Sequence, residues 1–233
     1  PGLSDMMHVY TEAITYAINS DAKAALDIES EWKSLENSGK IKPAMRGQSV
    51  DPLCTTKWNQ SWPYNKFCPD QPANWASNGH AVVGCVATAM AQIMAYWDYP
   101  TQGQGTKTYV PYCQECHSGV YPQQTVNFGA TTYDWENMVD AISSTSPVEQ
   151  IDAIATISYH CGVSVEMMYD HHGGGSGAFS TDVPAAISTY FKYAPSTLVN
   201  RQNNQTWDED LRNAIKMGRP VYYSGFDEAG GGH

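Results

Sequence analysis

Apolar residues recur at helical spacing from the start of the chain. Leu3, Met6, Met7, Tyr10, Ala13, Ile14, Ala17 and Ile18 form one such series, and Ala25, Ile28, Trp32 and Leu35 a second. Asn37-Ser38-Gly39 gives the second helix a stop signal. The basic residues Lys40, Lys42 and Arg46 follow around Pro43 and read as a linker, which predicts a helical segment over 1–42 and a second domain over 43–233. From Asp51 to Asn78 the chain is rich in Pro, Trp, Asn and Cys without any period, so loop is expected there. The clearest helix begins at Cys85, where Val86, Ala89, Met90, Ile93, Met94 and Trp97 make one apolar stripe that Pro100 ends.

Beyond it, residues 101–132 alternate turns with short Tyr/Val/Thr runs and predict loop and strand. Ser146-Pro147-Val148-Glu149 reads as a helix start, with a capping Ser and a Glu three residues on. Ile151, Ile154, Ala155 and Ile157 carry that helix to Cys161-Gly162, after which residues 163–169 read as a strand. Residues 173–177 form a glycine-rich loop, and Val183, Ala186, Ile187, Tyr190 and Phe191 mark another helix. Thr206 and Glu209 would cap a last helix through Leu211, Ala214 and Ile215, stopped at Gly218, with a strand over 219–223. There is no internal repeat. Helices precede strands instead of alternating with them in a parallel rhythm, which predicts the α+β class.

Composition narrows the partners. With 42% hydrophobic and 12% aromatic residues the 233-residue chain can fill a core. The net charge of −11 repels phosphate backbones and anionic lipid, which argues against nucleic acid and membrane surfaces. No apolar run approaches the ~20 residues that span a bilayer. Few charges with many Tyr, Trp, Asn and Gly lean towards exported bacterial enzymes, and so to a secreted or cell-surface location.

Of the six cysteines, Cys54 and Cys68 flank an aromatic loop and could bridge. Cys113 and Cys116 make one C-x-x-C with His117 beside it, and Cys161 reads as a buried structural thiol. Cys85 differs, because Gly84-Cys85-Val86-Ala87 puts a thiol on the first turn of a helix. The free N–H groups and dipole of a helix end favour a thiolate. The plain alternative is a buried Cys that only starts a core helix. A thiolate nucleophile also needs an imidazole. His233 follows three glycines and lies 148 positions after Cys85, within the separation of roughly 130–150 that papain-like enzymes use. Gln60, upstream in Trp58-Asn59-Gln60-Ser61-Trp62-Pro63-Tyr64-Asn65, offers a side-chain amide for an oxyanion. Taken singly, each of these residues has an inert reading: a terminal histidine, a solvated glutamine.

Together, three stretches resemble the streptopain-type family of papain-like cysteine proteases, interpain included. They are Asn59-Gln60-x-x-Pro63-Tyr64-Asn65; the run from Gly84-Cys85-Val86-Ala87-Thr88-Ala89 to Gln92-Ile93-Met94 with Tyr99-Pro100; and Arg219-Pro220-Val221-Tyr222-Tyr223 with Gly231-Gly232-His233. The resemblance implies a papain-like two-subdomain fold, with the nucleophile helix in a helical subdomain packed on an antiparallel sheet. It implies Cys85 as nucleophile, His233 as general base and acid, and Gln60 as oxyanion donor. It further implies that Gly173, Gly174, Gly175, Ser176, Gly177 and Gly232 hold the substrate backbone, and that no cofactor or metal is needed. Protein or peptide substrates are expected, with residues 1–42 as the end of the chain's own prodomain. The family pattern continues beyond a residue matching His233, so this sequence is expected to be incomplete at its C-terminal side.

Two other readings compete. A papain-fold cell-wall amidase or acyl transferase would use the same Cys/His logic in a different cleft. A non-catalytic surface domain would hold zinc through Cys113, Cys116, His117 and His171 or His172, although one C-x-x-C supplies only two of four ligands.

Overall fold

The structure, a computed structural model, describes residues 15, 33, 50–71, 77–112, 121–171 and 175–225. The chain divides into two compact units, Pro1–Ser49 and Val50–His233. In the first, Thr15 and Lys33 are helical. The second unit holds every other described residue.

Its core is built on two helices. Helix α1, Cys85–Trp97, buries Val86, Ala87, Met90, Ala91 and Met94, so small and flexible side chains line its packed face. It ends as the periodicity predicts. Asp98 turns left-handed (φ 46°) and its N–H closes onto the Met94 and Ala95 carbonyls. Strands β1 (Thr106–Tyr109) and β2 (Gln124–Asn127) pair antiparallel, Thr106 opposite Asn127 and Tyr109 opposite Gln124. Gln124 and Val126 face in while Thr125 and Asn127 face out, the period of two expected of a half-buried strand.

Helix α2, Val148–Ser164, is buried on nearly every side from Ile151 onward, which makes it the central element. Ile154, Ile157, Cys161 and Val163 are fully enclosed with Phe128, Phe191 and Met167. The Cys161 thiol lies 3.9 Å from the Met94 sulfur, so α1 and α2 meet sulfur to sulfur. Strands β3 (Met168–His171) and β4 (Gly175–Gly177) form a second antiparallel pair, followed by α3 (Val183–Tyr190) and α4 (Trp207–Lys216). Helices with two small antiparallel sheets are the α+β class that the sequence predicts.

Several local expectations are corrected. α2 runs on through Gly162 and Val163 to Ser164, so the strand begins at Met168 and not at 163. Gly162 stays helical because Tyr169 packs against it. A Cβ there would stand 3.0 Å from the Tyr169 hydroxyl, and tertiary packing overrides the usual stop signal. Ser146 does not cap α2; its hydroxyl accepts from the Ser143 N–H instead, closing the preceding turn. Thr206 likewise bonds the Asp210 carboxylate (2.9 Å) and not the helix backbone. Residues 219–223 make no ladder among the described residues. Cys54 and Cys68 are both free thiols, so no bridge closes that loop. The described part of the glycine-rich stretch, Gly175–Gly177, is strand β4 and not loop, because Ser176 pairs with Tyr169.

Candidate active site

The site is assembled on the three residues that precede Cys85. Val83 donates its N–H to the Gln60 carbonyl at 3.0 Å, which lays the Gln60 segment beside this stretch. From another side, the Ser176 hydroxyl donates to the Val82 carbonyl at 2.6 Å. Gly84 closes the arrangement. Its φ of 92° lies in the left-handed region, and a Cβ there would stand 2.7 Å from the Met167 thioether and 3.0 Å from the Ser176 carbonyl. Only glycine fits both the dihedral and the space. Gln60, Met167 and Ser176 thus converge on residues 82–84, and the chain then turns into α1.

The turn leaves the Cys85 side chain exposed at the first position of the helix. No acidic residue occupies that first turn. Helix starts carry unpaired N–H groups and the positive end of the macrodipole. The other described cysteines are less exposed. Burial pushes the Cys54 thiol up, the Cys68 thiol up to about 12, and the Cys161 thiol further still. Among the described cysteines only Cys85 is exposed.

The Gln60 segment is braced from behind. Asn65, fully buried, donates through Nδ2 to the carbonyls of Ser77 (2.9 Å) and Ala81 (3.1 Å). Trp58 donates its indole N–H to the Val139 carbonyl (2.8 Å). The loop therefore has a fixed shape although no periodic element holds it. Gln60 itself is half-buried.

The structure adds three residues that the sequence reading did not single out for chemistry. Tyr222 shares a hydrogen bond with the Ser180 hydroxyl (2.8 Å), which in turn donates to the Ser224 hydroxyl (3.0 Å). Burial pushes the Tyr222 phenol up; the Ser180 hydrogen bond offsets part of this, and the charge of an ionised Cys85 adds to the rise. Tyr222 stands in one of the family-like stretches, but nothing in the sequence points to Ser180 as its partner.

Gly173, Gly174, Gly232 and His233 lie outside the described residues, as do Cys113, Cys116, His117 and His172. Among the described residues no group of three or more His, Cys, Asp or Glu could hold a metal ion, and no helix is long and apolar enough to cross a membrane.

The model of the Peptidase C10 family matches residues 58–233. Streptopain from Streptococcus pyogenes is 28% identical over 239 residues, covering 95% of this chain and 60% of its own length. The thiol protease/hemagglutinin PrtT of Porphyromonas gingivalis is 30% identical over 210 residues, 89% of this chain and 22% of that protein. The chain thus spans 60% of the length of the curated streptopain it matches. Active wild-type interpain A cysteine protease of Prevotella intermedia superposes with a TM-score of 0.68 at 37% identity, over 78% of this chain and 73% of its own. A mutant prointerpain A fragment from the same organism gives 0.67 at 36% identity, over 88% of this chain and 65% of its own. The fold is therefore the papain-like one of interpain A.

Proposed function

Because this chain belongs to the Peptidase C10 family, we propose that it works as a secreted bacterial cysteine endopeptidase, or as the partly processed zymogen of one. The observation that carries the reading is the exposed Cys85 at the start of α1, directly after the stretch on which Gln60 and Ser176 converge. Cys85 is the nucleophile, His233 its base and acid, and Gln60 the side-chain donor to the oxyanion.

In the first step the Cys85 thiolate attacks the carbonyl carbon of a peptide bond, forming the S–C bond and moving charge to the carbonyl oxygen. The Gln60 amide and the Cys85 backbone N–H receive that charge. His233 gives its proton to the departing amine as the C–N bond breaks, which leaves an acyl-thioester on Cys85. Water, deprotonated by the same imidazole, then adds to the thioester carbonyl. The C–S bond breaks and releases the acid. Ser176, tied to Val82, would leave its strand edge close to the bound substrate backbone, with Gly173, Gly174, Gly175, Gly177 and Gly232 giving close approach.

Residues 1–42 serve as the end of a prodomain. The match to the pro-form fragment reaches 88% of this chain against 78% for the active enzyme, and this supports that division. An active-site-directed peptidyl electrophile tests the whole reading. It should label Cys85 and no other cysteine, and labelling should stop cleavage of a protein substrate. A label on any other cysteine, or cleavage that continues after full labelling of Cys85, overturns it.

A further inference from the structure

Residues 81–83 lead into Gly84 and α1, and their backbone groups find partners in two directions. Ala81 is tied at both ends to the loop behind Gln60. Its N–H donates to the Pro69 carbonyl (2.9 Å) and its carbonyl accepts from Asn65 Nδ2 (3.1 Å). The next peptide group, between Val82 and Val83, is shared. Its N–H, on Val83, donates to the Gln60 carbonyl (3.0 Å), while its C=O, on Val82, accepts from the Ser176 hydroxyl (2.6 Å). One peptide plane is thus held at one edge by the Gln60 segment and at the other by β4.

A peptide plane is rigid, so a partner that fixes the carbonyl also fixes the direction of the N–H. A hydrogen bond at the carbonyl further polarises the group and strengthens the bond its N–H donates. Ser176 is itself anchored. It pairs across the strands with Tyr169, which is fully buried and packs against Gly162 of α2. The hydroxyl therefore reaches the Val82 carbonyl from the core side of the strand pair. Val82 is half-buried, so water can replace a lost hydroxyl there, but water would not hold the plane in one direction.

We propose, on the cysteine-protease reading above, that Ser176 is a positioning residue of the oxyanion hole. Its hydroxyl fixes the Val82–Val83 peptide, and through the Val83 N–H that peptide sets where Gln60 stands relative to Cys85. The single hydroxyl proton is spent on Val82, so the side chain acts through the peptide and not on the substrate. The backbone groups of the β4 edge are a separate matter and survive in every variant below. Small displacements at a reacting centre are expensive, with a 1 Å misplacement able to cost roughly a hundredfold in rate.

Ser176→Ala should lower kcat on a peptide substrate about tenfold while KM stays within about twofold. Ser176→Gly makes the same deletion and keeps the test open if Ser176→Ala does not fold. The deciding measurement repeats the substitution in a Gln60→Ala background. With the amide already gone, its placement no longer matters, and the further loss should shrink to less than about threefold. Equal fold losses in the two backgrounds overturn the proposal. So does an unchanged kcat in the folded variant, with or without a lowered melting temperature, or a rise in KM alone, which would mark a substrate contact. An unchanged kcat in Gln60→Ala by itself removes the group on which Ser176 acts and overturns it too. Cys85→Ala measured alongside separates the two levels. If it retains cleavage, the protease reading falls and the proposal with it; if it is dead while Ser176→Ala is normal, only the proposal falls.

Discussion

Two thiols sit on two helices that face each other, and they could hardly be placed more differently. Cys85 opens α1 and is exposed; Cys161 lies in the fourth turn of α2 and is fully buried against Met94. Cys161 even has a histidine beside it, since His160 precedes it in the chain. A search for Cys and His neighbours would stop there. Yet His160 is held by Tyr133 at 3.0 Å inside an aromatic cage with Phe128, and burial lowers its pKa to about 4. Burial pushes the Cys161 thiol the opposite way. The pair is thus kept neutral as acid thiol and free base, the reverse of what nucleophilic attack requires. Position along a helix, more than residue identity, separates the exposed thiol from the buried one.

The largest effect should come from removing the exposed sulfur. Cys85→Ala is expected to abolish cleavage of protein substrates and any self-processing of residues 1–42, with the melting temperature nearly unchanged because the side chain is exposed. Residual turnover above background, checked by gel and mass spectrometry, would assign the chemistry elsewhere. Next is Gln60→Ala. Loss of one oxyanion donor typically lowers kcat by ~10²–10³-fold. The Gln60 backbone carbonyl would still hold Val83, so the variant should fold. An unchanged kcat removes Gln60 from the site.

The framework around Cys85 is legible in the sequence in part, and the failures share a cause. The α1 stripe predicts the helix from Cys85 because small and apolar residues recur without interruption, and local periodicity is enough. The limits of α2 are misread because Gly162 is a stop signal locally but a packing residue against Tyr169. Ser146 and Thr206 carry capping chemistry but spend it on Ser143 and Asp210, choices between neighbours that composition does not order. The bond between Ser180 and Tyr222 joins residues 42 positions apart, and no pattern in either stretch announces it.

His160 gives a third way to sharpen the contrast, through pH. Its folded-state pKa of about 4 lies below the ordinary value of 6.5. Between those values the unfolded chain takes up a proton that the folded chain refuses, so stability should fall as pH drops from about 6.5 to about 4 and then level off. The full effect is about 3 kcal/mol. His160→Gln should flatten the pH dependence of denaturant unfolding in that window by up to about 1.4 kcal/mol per pH unit. Equal slopes for variant and parent would show that the imidazole is not held neutral.

The smallest effect closes the comparison from the buried side. Cys161→Ala removes one sulfur from a site walled by Met94 and the rest of the core. Apolar transfer for a group of that size is worth about 1 kcal/mol, with a small added cost for the space it leaves. The thiol donates only a weak hydrogen bond, so no strong polar partner is stranded. Stability measured by denaturant should therefore fall by about 1–2 kcal/mol, while kcat per folded molecule stays at the parent value. Iodoacetamide should likewise reach Cys161 only after denaturant is added, whereas Cys85 reacts in the native protein. Native-state labelling of Cys161, or a loss of kcat in the folded variant, would mean that α2 opens during turnover and that the two thiols are not the separate cases their burial makes them.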